Sequence, residues 1–406
     1  MKIRVLALVA TMVVSTSFAQ TSNITLWGLS DHEAFLTQLI DGFEAQNPEY
    51  TVTFEGRATD PHKEVIRQVV NTTSAPDVYF MWGGLGLGAA FVDSLEPLDG
   101  YYDEYGWRDR FVDTALQGVT VNGTLYGVPY HVRSLGLYYD KAAFEQAGIT
   151  EEPTTYEALI EVNQRLVEAG YTPLSIGGKF GWMTMRLADA LIETTCGAET
   201  HDDLQAMELD WASTPCVTEA FGELRRWSEE GWLPANFLGV DPAESHVPVY
   251  AGEAAMVFEG DWMIEGFANA GFSPDDFGYF PFPTGTNRSY MFVEAFWVPE
   301  TSESKEGAIA LLDYLSSPAV QQEFQASLGP IAPTVGVTPA EGQPELVAEI
   351  NQTVADASGI FLLTDQAFPL PVVNEFFRAQ DDLLAGVTDP GGAATIVQNA
   401  IEGYRQ

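Results

Sequence analysis

The chain has 406 residues, enough for two domains, and 46% of them are apolar, enough to fill a core in each. It carries 58 Asp and Glu against 18 Lys and Arg, a formal net charge of −40, which repels nucleic acid and anionic lipid and excludes both as partners. The acids are scattered along the whole chain, which points to a surface adapted to salt; a cationic ligand, polyamine or metal, is the alternative the acidity suggests.

Residues 1–19 read as a secretory signal peptide. Lys2 and Arg4 form the basic start, Val5 to Val14 the apolar run, and small residues Ser17 and Ala19 the cleavage site. That run is too short to cross a bilayer, no later stretch is long and apolar enough, and no Cys near Ala19 offers a lipid anchor. A free periplasmic protein is the expectation.

Ile24 to Leu29 predicts a buried strand, and Ser30 with Glu33 forms a capping-box pattern opening a helix. The helix places Phe35, Leu36, Leu39, Ile40 and Phe43 on one face, and Asn47-Pro48 ends it. Tyr50 to Phe54 is a second strand, followed by Asp60-Pro61 as cap and first-turn proline of a helix that turns Val65, Ile66, Val69 and Val70 inward. Asp77 to Met81 is a third strand, leading into a glycine-rich turn. This strand–helix alternation argues for a parallel sheet with right-handed crossovers.

Tyr126 to Tyr139 interrupts the pattern as a long extended stretch containing Pro129. The alternation resumes with a helix capped by Thr154 and Glu157, a strand at Thr172–Ile176 and a helix from Trp182 to Thr194. Tyr279–Phe282 and Met291–Val298 follow as strands, and the tail from Glu345 is mostly helical. Two α/β units with the chain passing between them is the economical architecture, with a ligand at the strand carboxyl ends. Cys196 and Cys216, 20 positions apart in an exported chain, are expected to close one disulfide that stabilises the fold by about 3 kcal/mol.

Familiar catalytic signatures are missing: no G-x-S-x-G, no H-E-x-x-H and no Walker loop with its Lys. The five His are too widely spaced to suggest a metal site, and no cofactor is expected. Gly84-Leu85-Gly86-Leu87-Gly88 has G-x-G-x-G spacing, not that of a dinucleotide loop, and reads as a tight turn giving backbone amides to the cleft.

Four segments in order resemble the extracellular solute-binding proteins of carbohydrate transporters, the maltodextrin-binding-protein-like family. Ala75-Pro76-Asp77-Val78-Tyr79-Phe80-Met81-Trp82 is similar to its third-strand signature. Tyr126-Gly127-Val128-Pro129-Tyr130 with Leu137-Tyr138-Tyr139-Asp140-Lys141, Phe144 and Gly148 resembles its hinge strand and next helix. Pro153 to Leu159 resembles its P-x-T-W-x-E-L helix start, with Tyr156 in place of the usual Trp. Gly252-Glu253-Ala254-Ala255-Met256 with Gly260-Asp261-Trp262 resembles its G-x-x-A-M … G-x-W segment.

The resemblance implies a two-lobed periplasmic binding protein fold, each lobe a mixed, mostly parallel sheet flanked by helices. Three crossings are implied, near His131–Ser134, Phe292–Glu294 and Gly329–Thr334. They assign 20–132 and 293–331 to the first lobe, and 133–292 and the helical 332–406 to the second. It also implies a monomer that closes on a neutral mono- to oligosaccharide and delivers it to a membrane permease with a separate ATPase, with no chemistry of its own. The competing classes are the same fold holding a cation and a secreted glycosidase with two carboxylates roughly 5–10 Å apart.

Sugars present C–H faces that stack on aromatic rings and hydroxyls that need donors and acceptors, so a sugar cleft mixes Trp with Asp, Glu and Arg. Trp262 matches the ligand-packing Trp of the G-x-W segment, with core packing as its ordinary alternative; Asp261 beside it faces the cleft or caps a helix. Trp182 opens a helix where the family places an aromatic platform, and Trp82 ends a strand at the cleft edge. Trp27 is a ligand or core residue in the first strand, and Asp31 and His32 follow that strand, as hydroxyl partners or helix caps. Arg133 stands at the first crossing where the maltodextrin-binding protein has a Glu, facing ligand or forming an interlobe salt bridge. Glu294, a lone carboxylate in the apolar Met291–Trp297 run, needs a partner, a hydroxyl or Arg133.

Overall fold

The structure is a computed structural model that describes residues 21–323, 331–338 and 340–406. The expected signal peptide, residues 1–19, lies outside the described residues, and the first strand begins at Ser22. That strand, β1 (Ser22–Leu29), alternates fully buried Ile24 and Leu26 with partly exposed Thr25 and Trp27. It pairs in parallel with β2 (Tyr50–Arg57) and β3 (Val78–Trp82). The helix Glu33–Gln46 covers one face with Leu36, Leu39, Ile40 and Phe43, as its periodicity predicts.

Both expected caps on the first two helices fail. His32, just before Glu33, already has αR backbone angles (φ −91, ψ −4), whereas a capping side chain needs an extended residue there, so Ser30 and Glu33 form no capping box. The second helix, Thr59–Val69, follows extended Ala58 and puts Asp60 inside its first turn, where the carboxylate meets the positive helix end. The helix Tyr156–Glu168 is capped one residue later than expected, Thr155 Oγ1 accepting from Ala158 N at 3.2 Å.

A hairpin of β4 (Thr120–Val121) and β5 (Thr124–Leu125) turns on Asn122 and Gly123, both with positive φ, the turn that Asn-Gly favours. Next come β6 (Gly127–Asp140), β7 (Thr172–Ser175), β8 (Ala254–Gly260), β9 (Phe277–Phe280), β10 (Arg288–Trp297) and β11 (Gly359–Phe361). Among the described residues one nine-stranded mixed sheet runs β2-β1-β3-β10-β6-β8-β7, with β9 on β6 and β11 on β10. The outer triplet β2-β1-β3 is parallel; β10 runs antiparallel to both β3 and β6.

Among the described residues two large apolar cores and one smaller one, which holds Tyr138, Phe277 and Leu346, sit on this sheet. The first large core gathers Ile24, Phe43, Phe80, Tyr130, Val132, Val293, Trp297 and Leu312; the second gathers Leu135, Met185, Trp211, Phe221, Phe258, Phe292 and Phe376. Each long strand serves both. β6 passes from the first core at Val132 to the second at Leu135, and β10 from the second at Phe292 to the first at Val293. Gly329 lies outside the described residues. Beyond it Thr334 bridges Phe111, Val335 N donates to Arg110 O, and Thr338 bonds Gln322. Leu346 is then buried beside Tyr138 and Phe277 of the second lobe.

The disulfide forms as expected, Cys196 to Cys216, with Cα atoms 5.1 Å apart. It ties the end of the helix Trp182–Cys196 to the first turn of the helix Pro215–Glu229. No helix among the described residues is long and apolar enough to cross a membrane.

Candidate functional site

The register between β6 and β10 slips at Tyr130: Pro129 faces Ala295, and His131 faces Glu294. Pro129 has no N–H to give a ladder, and the bulge absorbs that deficit. Before the slip the register runs unbroken from Tyr290–Leu135 to Glu294–His131, and Trp82 of β3 flanks Glu294 on its other side.

Four ionisable side chains converge there. His131 Nδ1 is 2.6 Å from Glu294 Oε2, and Arg133 Nε donates to the same oxygen at 3.1 Å. Arg133 Nη1 donates to Asp261 Oδ1 at 2.9 Å, and its Nη2 lies 3.0 Å from His131 Nδ1. All four residues are buried. We assign the His131 proton to Nδ1, toward the closer carboxylate oxygen. Burial, reinforced by the Arg133 charge, lowers His131 to about 3, so the ring is neutral near pH 7. Burial alone would raise Glu294, but Arg133 and the His131 hydrogen bond overcome it and hold the acid well below the usual carboxylate range. Asp261 goes the other way: burial outweighs Arg133 and pushes it to about 6. Two atoms of the cluster, His131 Nε2 and Asp261 Oδ2, are buried with no hydrogen-bond partner among the described residues.

Asp261 is therefore not a helix cap; Trp262 holds that position before Met263–Asn269, and Asp261 turns inward to Arg133. Of the alternatives weighed for Arg133 and Glu294, ligand-facing or salt-bridged, the structure forms the salt bridge between them. His32 sets its ring edge-on to Phe80 (5.4 Å) and His131 (5.8 Å), and burial lowers its pKa. Asp31 is exposed.

The three tryptophans expected at the cleft are joined in one row by two cations. Lys63 Nζ lies 4.6 Å from the Trp82 ring centre and 5.5 Å from that of Trp182. The Arg186 guanidinium lies 4.5 Å from Trp182 and 5.3 Å from Trp262. Trp82 packs on both cores, Trp182 and Trp262 on the second, so the row spans the lobes. The Trp262 ring lies so close over Gly260 that a Cβ there would come within 2.0 Å of it, and only glycine fits. Trp27 stands apart, its face covered by the Arg57 guanidinium at 4.0 Å.

Arg186 is one helical turn beyond Trp182, a spacing that puts both on one face and was visible in the sequence. It pairs with Glu259 at 2.5 Å, and His246 Nε2 reaches the other Glu259 oxygen at 3.1 Å. Lys63, Asp365 and His131 carried no local signal.

The first amides of the glycine-rich turn go to backbone carbonyls and not to the cleft. Gly83 N donates to Val293 O, Gly84 N to Gly118 O and Leu85 N to Gln366 O at 2.7 Å. Its glycines allow close approach: a Cβ on Gly84, whose φ is +94, would sit 2.4 Å from Gln366 O, and one on Gly88 2.2 Å from the Trp297 ring. Among the described residues no group of three or more His, Cys, Asp or Glu could hold a metal ion.

A sheet shared by two cores, with a row of indoles and buried charges where the strands cross, defines a two-lobed binding protein. Residues 28–322 match the family of the bacterial extracellular solute-binding protein, and the chain belongs to that family. It is 24% identical over 326 residues to the "xylose/arabinose-binding protein XacG" of Haloferax volcanii, covering 78% of this chain and 70% of that one. It is 28% identical over 336 residues to a "probable sugar-binding periplasmic protein" of Rhizobium meliloti, covering 80% and 79%. The solved structure of a "chitin oligosaccharide binding protein" superposes with a TM-score of 0.85 at 25% identity, over 95% of this chain and 99% of that one. All three are binding proteins by name; the Rhizobium protein is described as periplasmic and the family as extracellular.

Proposed function

We propose that this chain is the sugar-binding subunit of an ABC importer: it captures a neutral mono- to oligosaccharide between its lobes and delivers it to a membrane permease driven by a separate ATPase. The observation that carries the reading is the row Trp82–Lys63–Trp182–Arg186–Trp262, which lines up flat apolar faces with fixed polar groups. Indole faces take the C–H side of a pyranose, and the buried polar atoms take its hydroxyls. The names of its relatives agree with a sugar guest.

In this reading Trp82, Trp182 and Trp262 are the stacking platforms, and Asp261 Oδ2 is a hydroxyl acceptor at the cleft floor. Arg133, Glu294 and His131 hold that floor in place. Residues 20–132 and 293–338 make one lobe, and 133–292 with the tail from Leu346 the other, hinged on β6 and β10. The protein works as a monomer in the periplasm, after cleavage near Ala19, and turns nothing over.

The test is calorimetry on the purified chain against a panel of pentoses, hexoses and short oligosaccharides, with product analysis alongside. The expected result is saturable binding of one sugar class with the sugar recovered intact. Steady release of product, or no binding across the panel, would overturn the reading.

A further inference from the structure

Lys63 and Asp365 face each other across the lobes with a gap that neither closes. Lys63 stands on the helix Thr59–Val69 of the first lobe. Its neighbour His62 anchors that helix, Nε2 lying 2.7 Å from Phe80 O on β3. Asp365 stands on the short helix Thr364–Ala367, packed on the second core. That turn is pinned by Asp189, which accepts from Thr364 N at 2.8 Å, from Thr364 Oγ1 at 2.6 Å and from the Tyr290 hydroxyl at 2.7 Å. Both side chains are thus held by rigid neighbours.

Their charges act on each other: Lys63 is the strongest charge on Asp365, and Asp365 the strongest on Lys63. Yet among the described residues no carboxylate comes within ion-pair distance of Lys63 Nζ, and Nζ makes no hydrogen bond. Asp365 is 6% exposed, and its Oδ1 is buried with no hydrogen-bond partner. Arg186 Nε, beside the same Trp182 ring, is also buried and unpartnered. An ammonium with three N–H groups and an acceptor oxygen, fixed on opposite lobes beside an indole face, call for a group that accepts from one and donates to the other. A hydroxyl does both at once. Opposite charges on the two sides favour a guest without net charge.

We propose that Lys63, Asp365 and Arg186 form a diol-binding subsite beside Trp182, in which a pyranose hydroxyl bridges the Lys63 ammonium to Asp365 Oδ1 while its neighbour accepts from Arg186 Nε. This rests on the sugar-binding reading and adds to it: the guest's ring presents adjacent hydroxyls across the lobes, so the bridge forms only on closure and reads hydroxyl position.

The experiment is calorimetry with the best sugar of the panel and its monodeoxy analogues, on the wild type and on Lys63→Met, Lys63→Arg and Asp365→Asn, each checked by circular dichroism and melting temperature. Lys63→Met and Asp365→Asn should each weaken the parent sugar tenfold or more, with Lys63→Arg recovering part. One monodeoxy analogue should lose tenfold or more on the wild type and nothing further on Lys63→Met, which a merely structural lysine would not produce. If Asp365→Asn fails to fold, the Lys63 variants decide alone. Lys63→Met binding the parent sugar within twofold of the wild type, or every analogue losing the same factor on both proteins, would overturn the subsite while leaving sugar binding intact. A wild type that binds no sugar removes both.

Discussion

The crossing strands and the tryptophan row each bury acids and bases of similar type, and they differ in how many of those groups find one another. On the strands, Arg133 reaches Glu294, Asp261 and His131, all within 3.1 Å. In the row, Lys63 lies over two indole faces and forms no ion pair among the described residues. Arg186 pairs with Glu259 but its Nε is unpartnered, as is Asp365 Oδ1, while the strand cluster leaves only His131 Nε2 and Asp261 Oδ2 so. A buried network whose charges are paired fixes geometry, because every rearrangement strands a charge. An unsatisfied one is costly by itself and is relieved only by a guest with the complementary groups. The first holds the two crossing strands in register; the second is where the proposed reading puts most of the recognition.

The sharpest way to break this contrast is Glu294→Ala. Removing the acid leaves Arg133 and His131 buried without their common partner, and the expected loss is about 3–5 kcal/mol of stability, measured by urea unfolding. A loss of under about 1 kcal/mol would mean that water reaches the crossing and that the network fixes nothing. Next in size is the double variant Cys196→Ser with Cys216→Ser. It opens a loop in the second lobe away from both clusters, so stability should fall by about 3 kcal/mol while sugar affinity stays within twofold. A matched fall in affinity would show that the Trp182 helix, which Cys196 ends, shifts when the loop is freed.

Asp261 supplies the pH test. Its folded pKa of about 6 lies above the ordinary value of 3.8, so between those limits the folded state binds the extra proton. Stability from this group therefore rises as pH falls from 7 toward 4. His131, lowered to about 3 from 6.5, works in the opposite direction over the same range but is present in both proteins compared. Wild type minus Asp261→Asn, followed by thermal unfolding from pH 7 to 4, should shift in favour of the wild type by about 2–3 kcal/mol. A flat difference would place the Asp261 carboxyl in contact with solvent.

Much of the frame was legible because it depends on local periodicity. The alternation in Ile24–Leu29, the apolar face of Leu36 to Phe43 and the long run through Pro129 each specify an element by themselves. The indole row was partly legible, since Trp182 opens its helix and Trp262 follows Gly260, which leaves room for its ring. Its polar half was not. Lys63 and Asp365 are 302 positions apart, and nothing within a helical turn of either announces the other. Nor did the apolar run of β10 reveal that Glu294 would meet His131, because the two stand 163 positions apart and only the strand register brings them together. The capping patterns misled for a related reason: Ser30 has the right residue type, but the chain leaves β1 through a 3₁₀ turn that rotates its side chain away from the helix end.

The remaining tests set two tryptophans against each other. Trp182 has the Lys63 and Arg186 cations on its ring and sits between the lobes, so Trp182→Ala should weaken sugar binding roughly tenfold to a hundredfold by calorimetry. Trp27 was an equal candidate by residue type, and it should do almost nothing. Its partner Arg57 lies 4.0 Å from the ring centre and is itself held by Glu55 at 2.6 Å, and no described ring or cation contact links Trp27 to the other three indoles. Trp27→Leu keeps an apolar side chain against the first core and should change affinity by less than twofold. A larger loss would mean that Arg57 swings off the indole when the lobes close, extending the row of platforms to the end of β1 and lengthening the sugar the cleft can hold.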